Sequence, residues 1–409
     1  MQLQGPEPGF SLRSHRLDNI DFLRGLVIVL MALDHTKGHF LQHDFDLVDL
    51  SKTNPAFFLT RWVSHFCAPT FVFLAGTGAF LFGTRVKTTN QVAWFLLTRG
   101  IWLVLLELTV IRFAWFLEVG CTVAVGQVIW AIGWSMVFLA GLVYLPLSVI
   151  ATIGVSIIAF HNLSDSVKPE AYGDFGWLWK ILHAGGALHP WEGMTFHPGY
   201  ALIPWAGTMA AGYAFGAMML LDRPQRRREV FGLSVALTVL FLVLRAWNIY
   251  GDKIRTDGKS YLPGPWSVQS DWLFTAFSFI NCEKYPPSLD YLLMTLGPAL
   301  CVLALFDREL GPVSRFFVIF GRVPLFFYVL HWYLLKALMI CLAYARYERV
   351  DFVLNQNLAE RNSQKPSDYG YDLWVVYIIW LCVVLALYPL CTWFAGVKQR
   401  SRSAWLSYL

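Results

Sequence analysis

The chain has 409 residues, of which 56% are hydrophobic, 16% aromatic and only 14% charged, with a formal net charge of +5. Soluble domains carry about 25% charged residues, so this balance excludes an ordinary soluble enzyme and points to a polytopic membrane protein. The positive excess lies in short loops rather than in one stripe, which argues against a nucleic-acid partner.

The opening MQLQGPEPGFSLRSHRL is polar and lacks the apolar core and small-residue cleavage site of a signal peptide, so a retained tail is expected over 1–18. Apolar runs then predict about ten crossings. They fall roughly at 19–40, 62–84, 92–117, 122–144, 146–161, 199–221, 229–248, 288–306, 316–345 and 372–396. The expected fold is an all-α polytopic membrane helix bundle forming a single domain over 1–409. Basic residues in the tail (Arg13, Arg16) and in GTRVKTT, DRPQRRRE, DRELGPVSR and KQRSRS all fall on one side. By the positive-inside rule that side is the cytoplasm, and both termini are expected there. The opposite loops, 41–61, 162–198, 249–287 and 346–371, are longer and more acidic. No internal repeat of the helix pattern is evident, which weakens transporter folds built on duplicated halves. Seven cysteines show no metal-ligand spacing. Cys121 and Cys282 fall in loops on one predicted side, either as a pair or as two small thiols.

Histidines are unevenly placed. His15 alone is on the expected cytoplasmic side, whereas His39, His43, His65, His161, His183, His189 and His197 lie near or beyond the outer face. His35 and His331 fall within spans. At about 1.5 Å per residue, His35 lies about 16 Å beyond Arg24, His331 about 14 Å beyond Arg322, and Glu107 about 12 Å beyond Arg99. Three ionisable groups on three outward-running helices thus reach a similar depth. Such groups cost at least about 2.5–3.5 kcal/mol there and usually face a cavity, a partner or a pathway. A shared polar cavity accounts for all three. Pairing as buried glue is the alternative, above all for Glu107 with an arginine of another helix. Arg24, Arg99 and Arg322 also suit interfacial snorkelling.

The stretch RLDNIDFLRGLVIVLMALDHTKGHF, followed by FFLTRWVSHFCAPTFVFLAGTGAFLFG, resembles bacterial membrane proteins related to the catalytic domain of heparan-alpha-glucosaminide N-acetyltransferase. Matching stretches continue through WLVLLELTVIRF, QVIWAIGWSM, LIPWAGTMAAGYAFG, KYPPSLDYLLMTLGPAL and FGRVPLFFYVLH, which ends near residue 332. The resemblance implies a bacterial inner-membrane (plasma-membrane) acyltransferase. Its donor would be cytoplasmic acyl-CoA, most simply acetyl-CoA, and its acceptor an amine or hydroxyl of an extracytoplasmic sugar or envelope glycan. In related acyltransferases an arginine opens the first span and an essential histidine follows; the matching positions are Arg24 and His35. The heparan enzyme has asparagine at the second of these and its histidine further along, at a place held here by Asp46, with His43 just before it. Lys336 stands where relatives often carry a second histidine after the one matching His331.

The expected mechanism places the CoA head at Arg24 and Arg322, with Arg99 as a further candidate, and makes His35 the general base. Asp34 is a candidate orienter, although the next residue of a helix points about 100° away; Glu107 or Gln127 would serve instead. His331 or a tryptophan N–H would steady the oxyanion, and His43 is the alternative catalytic histidine. A covalent acetyl-His35 route stays open. No metal is expected. The stretch GDFGWLWKILHAGGALHPWEGMTFHPGY suits sugar stacking or an interfacial helix, and aromatic spans leave surface for a homodimer. The rival function is a proton-coupled transporter or flippase, which also uses mid-membrane His and Glu.

Overall fold

The computed structural model describes residues 17–43, 45–252, 263–355 and 358–401. The tail with Arg13, His15 and Arg16, part of the 249–287 loop and the end of KQRSRS lie outside the described residues. In chain order the elements are α1 (Asp18–Phe40), α2 (Pro55–Gly83), α3 (Thr89–Phe116), β1 (Val123–Gly126), α4 (Val128–Leu142), α5 (Leu147–Ser164) and β2 (Thr195–Pro198). Then come α6 (Leu202–Phe215), α7 (Arg223–Trp247), α8 (Trp272–Ile280), α9 (Leu289–Leu305), α10 (Pro312–Arg322), α11 (Pro324–Tyr347) and α12 (Leu373–Arg400).

Six of these helices, α2, α3, α5, α7, α11 and α12, are long and apolar enough to cross a membrane; α4 and α9 are apolar but shorter. Helix α1 fails that measure because it carries Asp21, Arg24, Asp34 and Lys37, and it buries Asp21 and Lys37 inside the bundle. It packs against α2, α10, α11 and α12. By contrast α7 and α12 leave Val235, Val239, Leu242, Ile378, Leu381 and Leu385 exposed, as helices bordering lipid do.

Three expectations need correction. The protein is mostly helical, as expected, but the 122–144 interval begins as a strand: β1 and β2 pair in parallel, Val123 opposite Thr195 and Gly126 opposite Pro198. The expected span at 316–345 is two helices. Pro324 lacks a backbone N–H and disfavours helix at the residue before it, and Val323 is non-helical at φ −133°, ψ 49°. The freed α10 lies directly on α1, where a Cβ on Gly25 would come within 1.8 Å of the Phe317 carbonyl oxygen. Only glycine permits that approach. Finally, α2 starts inside the expected 41–61 loop, because the Asn54 side chain accepts the Phe57 N–H at 2.9 Å and Pro55 opens the first turn.

Candidate active site

Two cavities flank the middle of α1. The larger, of about 820 Å³, lies at its C-terminal end and is walled by His35, Lys37, His43, Arg61, Gln127, His183, His197, Tyr285 and Trp332, among others. The smaller, of about 280 Å³, is mostly apolar and has Arg24 and Arg99 on its wall, with Ile28, Met31, Leu103, Ile132 and Tyr328.

Where α1 meets α11, His35 Nδ1 is 2.7 Å from His331 Nε2. Helix packing makes this contact possible, since α11 turns the fully buried His331 ring inward. The other nitrogen of His331, Nδ1, is 3.2 Å from the Phe327 carbonyl oxygen. A carbonyl can only accept, so His331 carries its proton on Nδ1 and offers a lone pair at Nε2. His35 must then donate from Nδ1, which leaves the lone pair of its Nε2 free. The Trp332 ring covers His35 at a centroid distance of 4.3 Å. This arrangement orients an imidazole as a proton acceptor on the wall of a polar cavity.

Asp34 does not take part in that contact. Its carboxylate accepts from Lys37 Nζ at 2.6 Å and from Arg61 Nη1 at 3.0 Å to both oxygens. The expectation that Asp34 orients His35 is therefore replaced by an ion cluster, which a helical neighbour pointing about 100° away readily forms. No local sequence pattern marks Lys37 or Arg61, and Arg61 falls in the 41–61 interval expected as a loop.

The remaining candidates separate cleanly. His43 is exposed on the larger cavity, its Nδ1 2.8 Å from the Phe45 carbonyl oxygen, and Asp46 lies beside it. Gln127 reaches the same wall from the end of β1, its Nε2 without a hydrogen-bond partner among the described residues. Glu107 lines neither cavity: it is 1% exposed in a π-helical turn and accepts from the backbone N–H groups of Ile129 and Trp130 at the start of α4. Arg24 donates to the Leu74 carbonyl oxygen at 2.6 Å, and Arg99 lies over the Phe95 ring. Arg322 is elsewhere, bound to Asp18 at 3.2 Å beside a different cavity that contains Lys398. The break at Val323 separates it from His331. Lys336 is buried on α11 and lines neither of the two cavities. Both Cys121 and Cys282 are free thiols. Among the described residues no group of His, Cys, Asp and Glu is arranged to hold a metal.

The 162–198 segment supplies part of the cavity wall. Asp165 accepts from His183 Nε2 at 2.8 Å and from Asn162 Nδ2 at 2.9 Å. Burial alone raises a carboxyl pKa, but these two hydrogen bonds outweigh it and hold Asp165 below the usual carboxylate value of 3.8. Its stabilisation is thus fully present above that value and is lost as pH falls through the depressed one. Thermal unfolding of Asp165→Asn should lie below wild type at neutral pH, and the margin should be lost in acid as pH falls through the depressed value. A margin independent of pH would contradict the assignment.

A family profile described as heparan-alpha-glucosaminide N-acetyltransferase, catalytic, matches residues 16–251. The chain belongs to this family. No curated protein matches it. Membership of the heparan-alpha-glucosaminide N-acetyltransferase family implies a transmembrane acetyltransferase-like role. The matched region holds Arg24, His35, His43, Arg99 and Glu107, and it ends before α11. Folding, rather than that match, brings His331 and Trp332 to His35.

Proposed function

We propose that this chain moves an acyl group, most simply acetyl, from acyl-CoA to an amine or hydroxyl of a sugar or envelope glycan across the membrane. The observation that carries this reading is the His35–His331 contact, set between an apolar cavity bearing two arginines and a broad polar one. CoA phosphates meet Arg24 and Arg99 through charge-assisted hydrogen bonds, the pantetheine arm follows the apolar wall, and the acceptor enters the larger cavity. His35 Nε2 takes the acceptor proton, while His331 fixes the tautomer that makes this possible. His331 is a positioning residue. Arg322, placed elsewhere, is left out of the donor site.

The same reading treats 1–409 as one domain of about ten crossings in the plasma membrane, with the Arg24 end of α1 and both termini cytoplasmic. The basic short loops support that orientation. Donor entry from the Arg24 side follows from it. Arg99→Ala is expected to weaken acetyl-CoA binding about tenfold, in line with loss of one charged hydrogen bond, as measured by calorimetry on purified protein. Undiminished binding would remove Arg99 from the donor site. Saturable acetyl-CoA binding to wild type, with labelled acetyl appearing in envelope material, tests the function itself; uptake of a solute without such binding would favour transport.

A further inference from the structure

Beside His35 the larger cavity carries more positive charge than its carboxylates balance. Lys37 and Arg61 share the carboxylate of Asp34. Lys284 adds a third cation, close enough to act electrostatically on Asp34, His35 and His65. It is 6% exposed, yet among the described residues its ammonium makes no ion pair and no hydrogen bond. Its contact is with a ring: Nζ lies 5.1 Å from the Tyr285 centroid, a cation–π distance. Buried charges normally have a counter-ion, because their lost hydration is otherwise uncompensated. Asp46, the other carboxylate on this wall, is exposed and accepts the Val48 N–H at 3.2 Å in the His43 loop.

Tyr285 brings that charge to the cavity. Residues 281–284 and 287–290 are buried, whereas Tyr285 is 47% exposed and lines the cavity wall. Its hydroxyl lies against Arg61, and its ring stands edge-on to Tyr200 at a centroid distance of 5.5 Å. Arg61 gives Asp34 and Ser64 only Nη1. A guanidinium has five N–H donors in a planar fork, so this cluster leaves Nε and Nη2 unused. We propose that Arg61, Lys284 and Tyr285 form an anion-binding acceptor subsite, which holds a carboxylate or phosphate borne by the acceptor sugar. The acceptor is then an acidic sugar rather than a neutral one. Its anion supplies the counter-ion that Lys284 lacks, and its C–H groups pack on the open surface of Tyr285. Asp34, held by Arg61, is the chain neighbour of His35, so the sugar lies beside the base. The inference rests on the acyl-transfer reading for the fate of the sugar but not for its charge. The rival role for Lys284 is structural: it balances Asp34 at a distance and braces the Tyr285 ring.

The two roles part on measurement. Purified wild type in detergent is titrated by calorimetry with glucuronate, glucose 6-phosphate, glucose and inorganic phosphate. At least one acidic sugar should bind about tenfold or more tightly than glucose, as a charge-assisted contact implies, and the preference should shrink in high salt. Lys284→Met should lower that preference at least about threefold. A structural Lys284 would instead lower the unfolding temperature and leave the preference unchanged, which overturns the proposal. If Lys284→Met does not fold, wild type decides alone: glucose bound as tightly as both acidic sugars overturns it. Inorganic phosphate bound as tightly as glucose 6-phosphate, with no preference for glucuronate, makes the site an anion trap and overturns its role in acceptor recognition. An acidic-sugar preference without acetyl-CoA binding overturns the acyl-transfer reading and leaves the subsite standing. Acetyl-CoA binding without the preference overturns only the subsite.

Discussion

His35→Ala is expected to reduce acetyl transfer to envelope material by about 10²–10⁴-fold, the contribution typical of a positioned general base, while the protein stays folded and inserted. The size of the loss follows from tautomer geometry. Phe327 O holds the His331 proton on Nδ1, so His331 Nε2 accepts from His35 and the free lone pair belongs to His35 Nε2 alone. His43 has no such partner; its Nδ1 contact is to a backbone carbonyl in its own loop, and its ring is exposed. Transfer should therefore survive His43→Ala far better than His35→Ala. Labelled acetyl incorporation by cells producing each variant checks this, with tryptophan fluorescence confirming the fold. A variant lacking the His35 imidazole that retains wild-type transfer would remove it from the chemistry.

Asp34→Asn should instead act on stability. The carboxylate sits between Lys37 and Arg61, whose side chains are 8% and 19% exposed. Removing one member of a buried ion cluster leaves charge uncompensated, which typically costs about 3–5 kcal/mol. Because the cluster borders a polar cavity, about 3 kcal/mol is expected here. Adding Lys37→Met should recover part of the loss, since one stranded cation disappears with it. Thermal unfolding in detergent measures both effects, and a change under about 0.5 kcal/mol would contradict the cluster's structural role. The surviving folded fraction should keep kcat within about tenfold. A loss as deep as that of His35→Ala would restore Asp34 as the residue orienting the base.

Much of this arrangement was legible in the chain. Counting residues from the flanking arginines put His35 and His331 at one depth, and the two rings do meet. The same count brought Glu107 to that depth but said nothing about azimuth: a π-helical turn directs it at the α4 N-terminus, where it caps backbone amides. Arg322 misled for a different reason. Its spacing to His331 assumed one helix, although Pro324 marked the break in plain view. Arg61 is hidden because an Asn-Pro pair suits a loop as well as the helix cap that it forms here. The β1–β2 ribbon, which carries His197 to the cavity wall, joins residues far apart in sequence, and no local pattern records that pairing.

The central claim of the proposed function is that CoA lies in the smaller cavity and brings its thioester to His35. A cryo-electron microscopy structure with CoA bound tests it most directly. The phosphates should lie against Arg24 and Arg99, with the sulfur within reach of the His35 ring. CoA seated instead beside Arg322 and Lys398, or with its sulfur remote from His35, would contradict it.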